Sequence, residues 1–227
     1  MTVSLVHLPA IKLQHTTATS VSGAITQPTA GNVLVAIWSG YTATEGEVSD
    51  NQGNSWQMIC QQLTPGGDYL LNVHYARNVS TGSPFNVTLD SLDTGHGITG
   101  WIVEIEGCDT AYPHEADEER TRNGSSTTPA TESLTNSSLD AVVFAGSVLL
   151  DSQDPITLTN PGAPWTLIGE ELLGFTYNPG SVVYRILSTS TNSDATWGST
   201  DAPWATAIVA FQGAPTLFGP PPGRGPP

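Results

Sequence analysis

The strongest constraint on the fold is that the second half of the chain repeats the pattern of the first. Six residues of the first half recur at a constant spacing, and residues 101–107 resemble residues 207–213 at an offset of 106. Solenoid repeats are much shorter than this, so we expect one domain over residues 1–213, built from related halves at 24–108 and 133–213. Six residues recur 109 positions later: Asn51, Gly53, Trp56, Ile59, Val73 and Tyr75 return as Asn160, Gly162, Trp165, Ile168, Val182 and Tyr184.

Hydrophobic patterning predicts that both halves consist of β-strands. Residues 32–38 are a near-continuous apolar run, typical of a central strand buried on both faces. Within residues 98–106, Trp101, Val103 and Ile105 fall on one face of a strand. The 23 Gly and 17 Pro residues supply the many turns that an antiparallel protein needs. We therefore expect an all-β fold of two antiparallel sheets packed face to face, jelly-roll-like, with internal duplication.

The segment between the halves and the C-terminal segment lie outside the repeated pattern. Residues 109–138 are acidic and then rich in Ser, Thr and Asn, which predicts a long surface loop; only residues 114–122 could form a short helix. Residues 214–227 are rich in Pro and Gly, which predicts an extended arm.

Three residues of this arm are predicted to contact a partner. Leu217 and Phe218 are its only large apolar residues, and a free arm gains nothing from keeping them together. We expect both to enter an apolar groove on a neighbouring copy or on a shell beneath, and Arg224 to meet an acidic patch. The alternative is that Leu217 and Phe218 cover the end of their own domain.

The charge of the chain limits its partners. It has 21 acidic and six basic residues, a net charge of −15, which disfavours binding to nucleic acid or to anionic membranes. The first residues lack a basic region and a long apolar run, so no signal peptide is expected. Cys60 and Cys108 have no counterparts in the second half, and two reduced, partly buried thiols are favoured over a disulfide.

Candidate catalytic and metal-binding residues each have a simpler structural explanation. Glu104 and Glu106 share a strand face at a spacing that could suit a glycosidase, but an exposed strand face gives the same spacing routinely. Residues 114–119 form an acidic cluster that matches no zinc or calcium motif. Residues 50–54 resemble the start of a calcium loop but are better explained as a hairpin turn. We expect no metal, no cofactor and no enzymatic activity.

The six tryptophans divide into two groups. Trp56 and Trp165 occupy equivalent positions, and Trp101 shares an apolar face, so all three are expected in the core. The others lack repeat partners and are better candidates for exposed contacts, such as sugar-stacking platforms, although burial is the default for each: Trp38, Trp197 and Trp204.

Four motifs resemble a sandwich domain common in bacteriophage and phage-derived genes. They are an apolar strand after Gly-Asn at residues 30–36, a Ser-Asp-x-x-Gly-Asn-x-Trp turn at 49–56, a Tyr-Ala strand leading into Thr-Gly-Ser-Pro at 74–84, and an apolar strand ending in Glu-x-x-Gly at 102–107. The resemblance covers most of residues 24–213, but not the acidic segment or the arm.

This resemblance implies a structural role in a virion. Similar proteins are jelly-roll-like decoration, spike or fibre components of phage and gene-transfer particles. We therefore expect a homo-oligomeric capsid decoration or head-spike protein on the virion surface, made in a host cytoplasm and bound to the major capsid protein or another virion component. The alternative is a carbohydrate- or receptor-binding module of a tail or spike, with a host glycan as partner.

Overall fold

A computed structural model describes most of the chain, and the described residues form an all-β fold. They contain no helix, and hence none long and apolar enough to span a membrane. The described residues are 2–41, 46–67, 69–92, 97–114, 119–136, 140–150, 157–172 and 179–214. Their seventeen strands are β1 (Ser4–His15), β2 (Ser20–Ile25), β3 (Val33–Tyr41), β4 (Glu47–Asp50), β5 (Trp56–Leu63), β6 (Tyr69–Ala76), β7 (Phe85–Asp90), β8 (Ile98–Glu106), β9 (Glu119–Ser126), β10 (Leu134–Asn136), β11 (Ala141–Leu149), β12 (Leu158–Thr159), β13 (Thr166–Glu171), β14 (Gly180–Leu187), β15 (Thr191–Ser193), β16 (Gly198–Ser199) and β17 (Ala202–Gln212).

Two five-stranded antiparallel sheets form the centre of the molecule. The first inner sheet has the strand order β1-β8-β3-β6-β5, and the second inner sheet has the order β9-β17-β11-β14-β13. Smaller sheets cover their outer faces: β2-β7-β4 on the first, and the pairs β10-β15 and β12-β16 on the second. The prediction of an all-β sandwich with internal duplication is confirmed. The sandwich has four layers, because each inner sheet is covered on both faces.

The central strands show why this layering forms. In β3, Val35 and Ile37 point into the core between the two inner sheets. Leu34, Ala36 and Trp38 point the other way, into the core beneath the outer sheet. Successive side chains of a strand point to opposite faces, so a strand that is covered on both faces needs apolar residues at every position. The continuous apolar run is therefore buried on both faces, as expected.

The duplication extends to irregularities in the ladders. β5 pairs with β6 through a bulge between Met58 and Cys60, and β13 pairs with β14 through a bulge between Leu167 and Gly169, 109 residues later. Across the inner core, β1 packs on β13 while β9 packs on β5. β9 is the equivalent of β1, and β13 is the equivalent of β5, so the same contact is made twice. Contacts are duplicated in this way across the two-fold axis of a homodimer.

The predicted loop over residues 109–138 is corrected by the structure. Glu119–Ser126 form β9, which pairs antiparallel with β17 at the edge of the second inner sheet, and Leu134–Asn136 form β10. β9 occupies the place that β1 occupies in the first sheet, so the second repeat starts before residue 133. An edge strand is half exposed and accepts polar residues, which is why the sequence pattern of β9 resembles a loop.

One pair of residues in the inner core departs from the symmetry. Trp101 of the first repeat is 4% exposed and lies against Gly169 of the second, where an added Cβ would be 2.1 Å from the indole Nε1. The equivalent positions hold the smaller Ala207 and the larger Cys60. Large and small side chains have therefore been exchanged between the two equivalent sites, which explains why Cys60 has no counterpart.

The chain begins, crosses between repeats and leaves at one end of the molecule, which we call the junction pole. The Asp140 carboxylate accepts hydrogen bonds from the Val3 amide at 3.2 and 3.3 Å, and its carbonyl accepts one from the Gly213 amide at 2.7 Å. The Ala214 amide donates to the Gly107 carbonyl at 2.8 Å. The N-terminal segment, the linker between repeats and the start of the C-terminal arm thus meet at this pole.

Candidate functional site

The carboxylate pair considered for catalysis is divided between two environments. Glu104 is 4% exposed, and its Oε1 accepts hydrogen bonds from the Thr29 amide at 2.8 Å and from Asn32 Nδ2 at 2.6 Å. Glu106 is exposed at the end of β8. Glu104 therefore ties the segment that enters β3 to the neighbouring strand, which is a structural role.

Replacing Glu104 with alanine should lower the free energy of unfolding by about 2 kcal/mol, because the Thr29 and Asn32 donors would lose a charged acceptor in a buried place. Glu104→Gln keeps an acceptor oxygen and should cost less. Urea denaturation measures both changes. Glu106→Ala is the control and should stay within about 0.5 kcal/mol, as exposed substitutions do; an equal loss at Glu106 would contradict this role.

The three tryptophans singled out as exposed-contact candidates are buried. Each indole Nε1 donates to a polar side chain: Trp38 to His74 Nδ1 at 3.3 Å, Trp197 to Ser181 Oγ at 2.6 Å and Trp204 to Ser126 Oγ at 3.1 Å. Because each indole N–H has a hydrogen-bond partner, it can be buried away from water. These partners are not next to the tryptophans in the sequence, so local sequence patterns do not reveal them. The rings of Trp38, Trp197 and Trp204 cannot serve as sugar platforms.

Trp56 and Trp165 occupy equivalent places at the edges of the two outer cores, and both are only half-buried. Trp56 Nε1 donates to Asp50 Oδ2 at 2.8 Å, and Trp165 Nε1 donates to the Asp194 carbonyl at 2.9 Å. The predicted equivalence is confirmed, but burial is partial because edge strands leave one side of each ring to solvent.

Residues 50–54 form a turn whose aspartate is fully occupied by protein donors. Asp50 Oδ1 accepts from the amides of Gln52 at 2.8 Å and Asn54 at 3.3 Å, while Oδ2 accepts from Trp56. The turn leads from β4 in an outer sheet to β5 in an inner sheet, so it is a connection between sheets and not the predicted hairpin.

The acidic cluster at 114–119 is described only in part. His114 Nδ1 lies 3.0 Å from the Ala210 carbonyl, and Nε2 lies 2.7 Å from a carboxylate oxygen of Glu119. Glu115 and Asp117 lie outside the described residues. Among the residues that are described, no three His, Cys, Asp or Glu side chains are grouped so that they could hold a metal ion.

Neither cysteine has the environment of a reactive thiol. Cys60 and Cys108 are buried and unpaired, so the favoured prediction of two reduced thiols agrees with the structure. Burial raises the pKa of the Cys60 thiol far above its ordinary value, and it raises the pKa of Cys108 to about 12. Because the thiolate is the nucleophile, neither residue is suited to covalent catalysis near neutral pH.

An open cleft of about 530 Å3 lies where the linker between repeats passes the ends of β5 and β6. We call it the linker cleft. Most of the residues that line it have polar side chains, although apolar atoms contribute nearly as much of its surface as polar ones. The residues that line it are Ser55, Gln57, Arg77, Asn78, Thr110 and Tyr112, together with Ala111.

Tyr112 is the most exposed large hydrophobic residue among the described residues, at 71%, yet its backbone is held by hydrogen bonds. Asp109 Oδ1 accepts hydrogen bonds from the amides of Ala111 at 2.8 Å and Tyr112 at 3.3 Å. Arg77 donates to the Ala111 carbonyl, and Gln212 Nε2 donates to the Tyr112 carbonyl at 2.9 Å. The linker is thus anchored on both sides of an aromatic ring that faces solvent.

A second cleft, of about 520 Å3, lies between β5 and β9 on the edge of the inner core. Arg120, Glu119 and Glu132 line it together with Met58 and the buried Cys60. Its charged groups are of both signs, and Arg120 donates to the Glu119 carbonyl at 2.5 Å. With its thiol held protonated, Cys60 is not available here as a nucleophile, and the lining contains no aromatic ring.

The predicted partner-contact residues Leu217, Phe218 and Arg224 lie outside the described residues, as does the arm from residue 215 onward. Comparison with known proteins gives no match to a family model, to a curated protein or to a solved structure.

The linker cleft was not predicted from sequence, because its residues come from three separated segments. The only sequence signal near it was an aromatic residue in a polar segment.

Proposed function

We propose that this protein is a structural component of the outer surface of a phage particle, either a capsid decoration protein or a head-spike component. The sequence motifs that resemble phage sandwich domains support the assignment to a phage particle. The observation that carries the proposal is the junction pole, where the first and last described segments, at Val3 and Ala214, meet at the same end of a duplicated sandwich.

The position of the chain ends suits attachment from one side. Ala214 is fixed to Gly107 at the junction pole, so the arm of residues 215–227 starts there and not at the opposite end. A chain anchored through this arm would hold the junction pole towards its support and present the rest of the sandwich outward. A Pro-rich arm loses less conformational entropy on docking than a flexible one.

The chemistry of the described residues fits a binding role better than a catalytic one. The thiols have raised pKa values, and Glu104 is committed to buried hydrogen bonds. A net charge of −15 keeps such a protein soluble at high local density on a particle surface. Its partner would be the major capsid protein or another virion component, with the copies assembled as an oligomer.

Deletion of residues 215–227 should abolish binding to capsid or tail shells while leaving the melting temperature nearly unchanged, because the cores described above lie within residues 2–214. Co-sedimentation with purified shells and a thermal melt measure the two effects. The substitutions Leu217→Ser and Phe218→Ser together should reproduce the loss, and Thr216→Ser is the matched control.

Two outcomes would contradict this role of the arm. Normal co-sedimentation of the truncated chain would show that the arm is dispensable. A melting temperature lowered by several degrees would instead support the alternative that Leu217 and Phe218 cover their own domain. If the full chain bound no shell at any ionic strength, the virion proposal itself would be wrong.

A further inference from the structure

We propose that the linker cleft is a carbohydrate-binding site, in which Tyr112 stacks against one face of a neutral sugar ring and the surrounding polar side chains bind its hydroxyl groups. The inference rests on the geometry of the cleft and does not depend on the virion role.

The first argument is the placement of Tyr112. Asp109 accepts hydrogen bonds from the linker backbone, and Arg77 and Gln212 donate to it, but Tyr112 itself is 71% exposed. Holding an aromatic ring in water contributes little to folding. It leaves an apolar face open to a ligand, and because the backbone that carries the ring is already hydrogen-bonded, less conformational entropy is lost on binding than from a free loop.

The second argument is the set of polar groups around the ring. Arg77, Gln57 and Asn78 supply N–H donors and amide oxygens, and Ser55 and Thr110 supply hydroxyl groups. Tyr75 Oη donates to Gln57 Oε1 and thereby fixes the Gln57 side chain. Sugar hydroxyls both donate and accept hydrogen bonds, so they match a mixed lining of this kind. A volume of about 530 Å3 is within the usual range for small-ligand sites.

The charge of the cleft favours a neutral ligand over an anion. Arg77 is the one basic residue among those that line it, and it already donates to the Ala111 carbonyl. Asp109, which anchors the linker, lies one residue from the lining, and the whole chain is strongly acidic. A phosphate or polyanion would be attracted by a single cation against this background.

The third argument comes from the duplication, which supplies an internal control. The second repeat has Pro164, Thr166, Ile186 and Leu187 where the first has Ser55, Gln57, Arg77 and Asn78. The sandwich therefore folds around these positions without the polar set. The polar groups of the linker cleft are a property of one repeat only, and they need an explanation other than the shared fold.

The test is binding of the full chain to an array of neutral saccharides built from glucose, galactose, mannose, rhamnose and N-acetylhexosamines. The affinity of each bound sugar is then measured by titration calorimetry. We expect Tyr112→Ala to weaken binding about tenfold or more, since it removes the apolar face that the sugar covers. Tyr112→Phe keeps that face and should bind nearly as the parent does. Gln57→Thr, which copies the second repeat, should also weaken binding.

The control is Leu167→Ala, which truncates an exposed apolar residue on β13, outside the cleft. It should leave sugar binding unchanged. Because Tyr112 is exposed, its variants should melt as the parent protein does, so a loss of binding would not reflect unfolding. The proposal is overturned if no neutral saccharide binds, if Tyr112→Ala binds as tightly as the parent, or if the cleft binds a peptide in preference to every sugar.

Discussion

Replacing Trp101 by alanine should lower the free energy of unfolding by about 3–5 kcal/mol, the usual range for truncation of a large buried aromatic residue. Trp101 lies in the core shared by the two inner sheets and packs against Gly169 of the other repeat. Because Gly169 has no side chain, the cavity left by the indole could not be filled from that side. Guanidinium denaturation monitored by far-UV circular dichroism measures the loss.

A second substitution tests whether the pair acts as a unit. Adding Gly169→Cys to Trp101→Ala copies the equivalent Ala207 and Cys60 pair of the other site. We expect the double variant to recover part of the loss, with a coupling energy of about 1 kcal/mol or more. Gly169→Cys alone should destabilise, since its Cβ would clash with the indole. Strictly additive effects would show that the two residues do not share one packing site.

The same shared core predicts how the protein unfolds. Val35 and Ile37 of the first repeat and Phe144 and Phe211 of the second lie in one apolar cluster. Neither inner sheet can expose that face without losing the cluster, so both repeats should unfold in one transition. In the Trp101→Ala variant, calorimetry should still show one peak, at a lower temperature.

Acidification should destabilise the fold by about 3 kcal/mol between pH 6.5 and pH 4 through His74 alone. Burial lowers the pKa of His74 from 6.5 to about 4, while a hydrogen bond with the Gly46 backbone acts weakly in the opposite direction. In that pH window the unfolded chain binds a proton that the folded chain does not, so stability falls as the pH falls. Below pH 4 both states are protonated at this residue, and its contribution becomes constant.

The surroundings of His74 explain why the neutral form is kept. The ring is 4% exposed, and Nδ1 accepts the hydrogen bond from Trp38 Nε1, which a protonated ring could not do. His74→Gln removes the titrating group and should flatten this part of the pH dependence. An unaltered slope in His74→Gln would contradict the assignment.

The sequence predicted most of the architecture, because strand formation leaves a local signal. The apolar run at 32–38 became β3, buried on both faces, and the equivalence of Trp56 with Trp165 was recovered at the edges of the two outer cores. The bulges that the structure shows in β5 and β13 are separated by the same 109 residues. In each case the relevant information lies within a few residues of the chain.

The same reasoning failed where the outcome depends on distant partners. The sequence of β9 predicts part of a loop, because an edge strand needs no apolar alternation and its partner β17 is about 80 residues away. Trp197 and Trp204 were candidates for surface contacts, because nothing nearby in sequence shows that Ser181 and Ser126 would receive their N–H groups.

The sequence by itself therefore determined that the chain is all-β, duplicated, acidic and without a recognisable catalytic motif. The tertiary structure decided that the repeats pack through their larger sheets, that Glu104 is a buried acceptor, and that Tyr112 stands exposed over a polar cleft. The physical reason is that alternation of apolar and polar residues sets the strands locally. Whether a given side chain is buried, paired or left to solvent is set by residues that strand pairing and sheet packing bring to it from far along the chain.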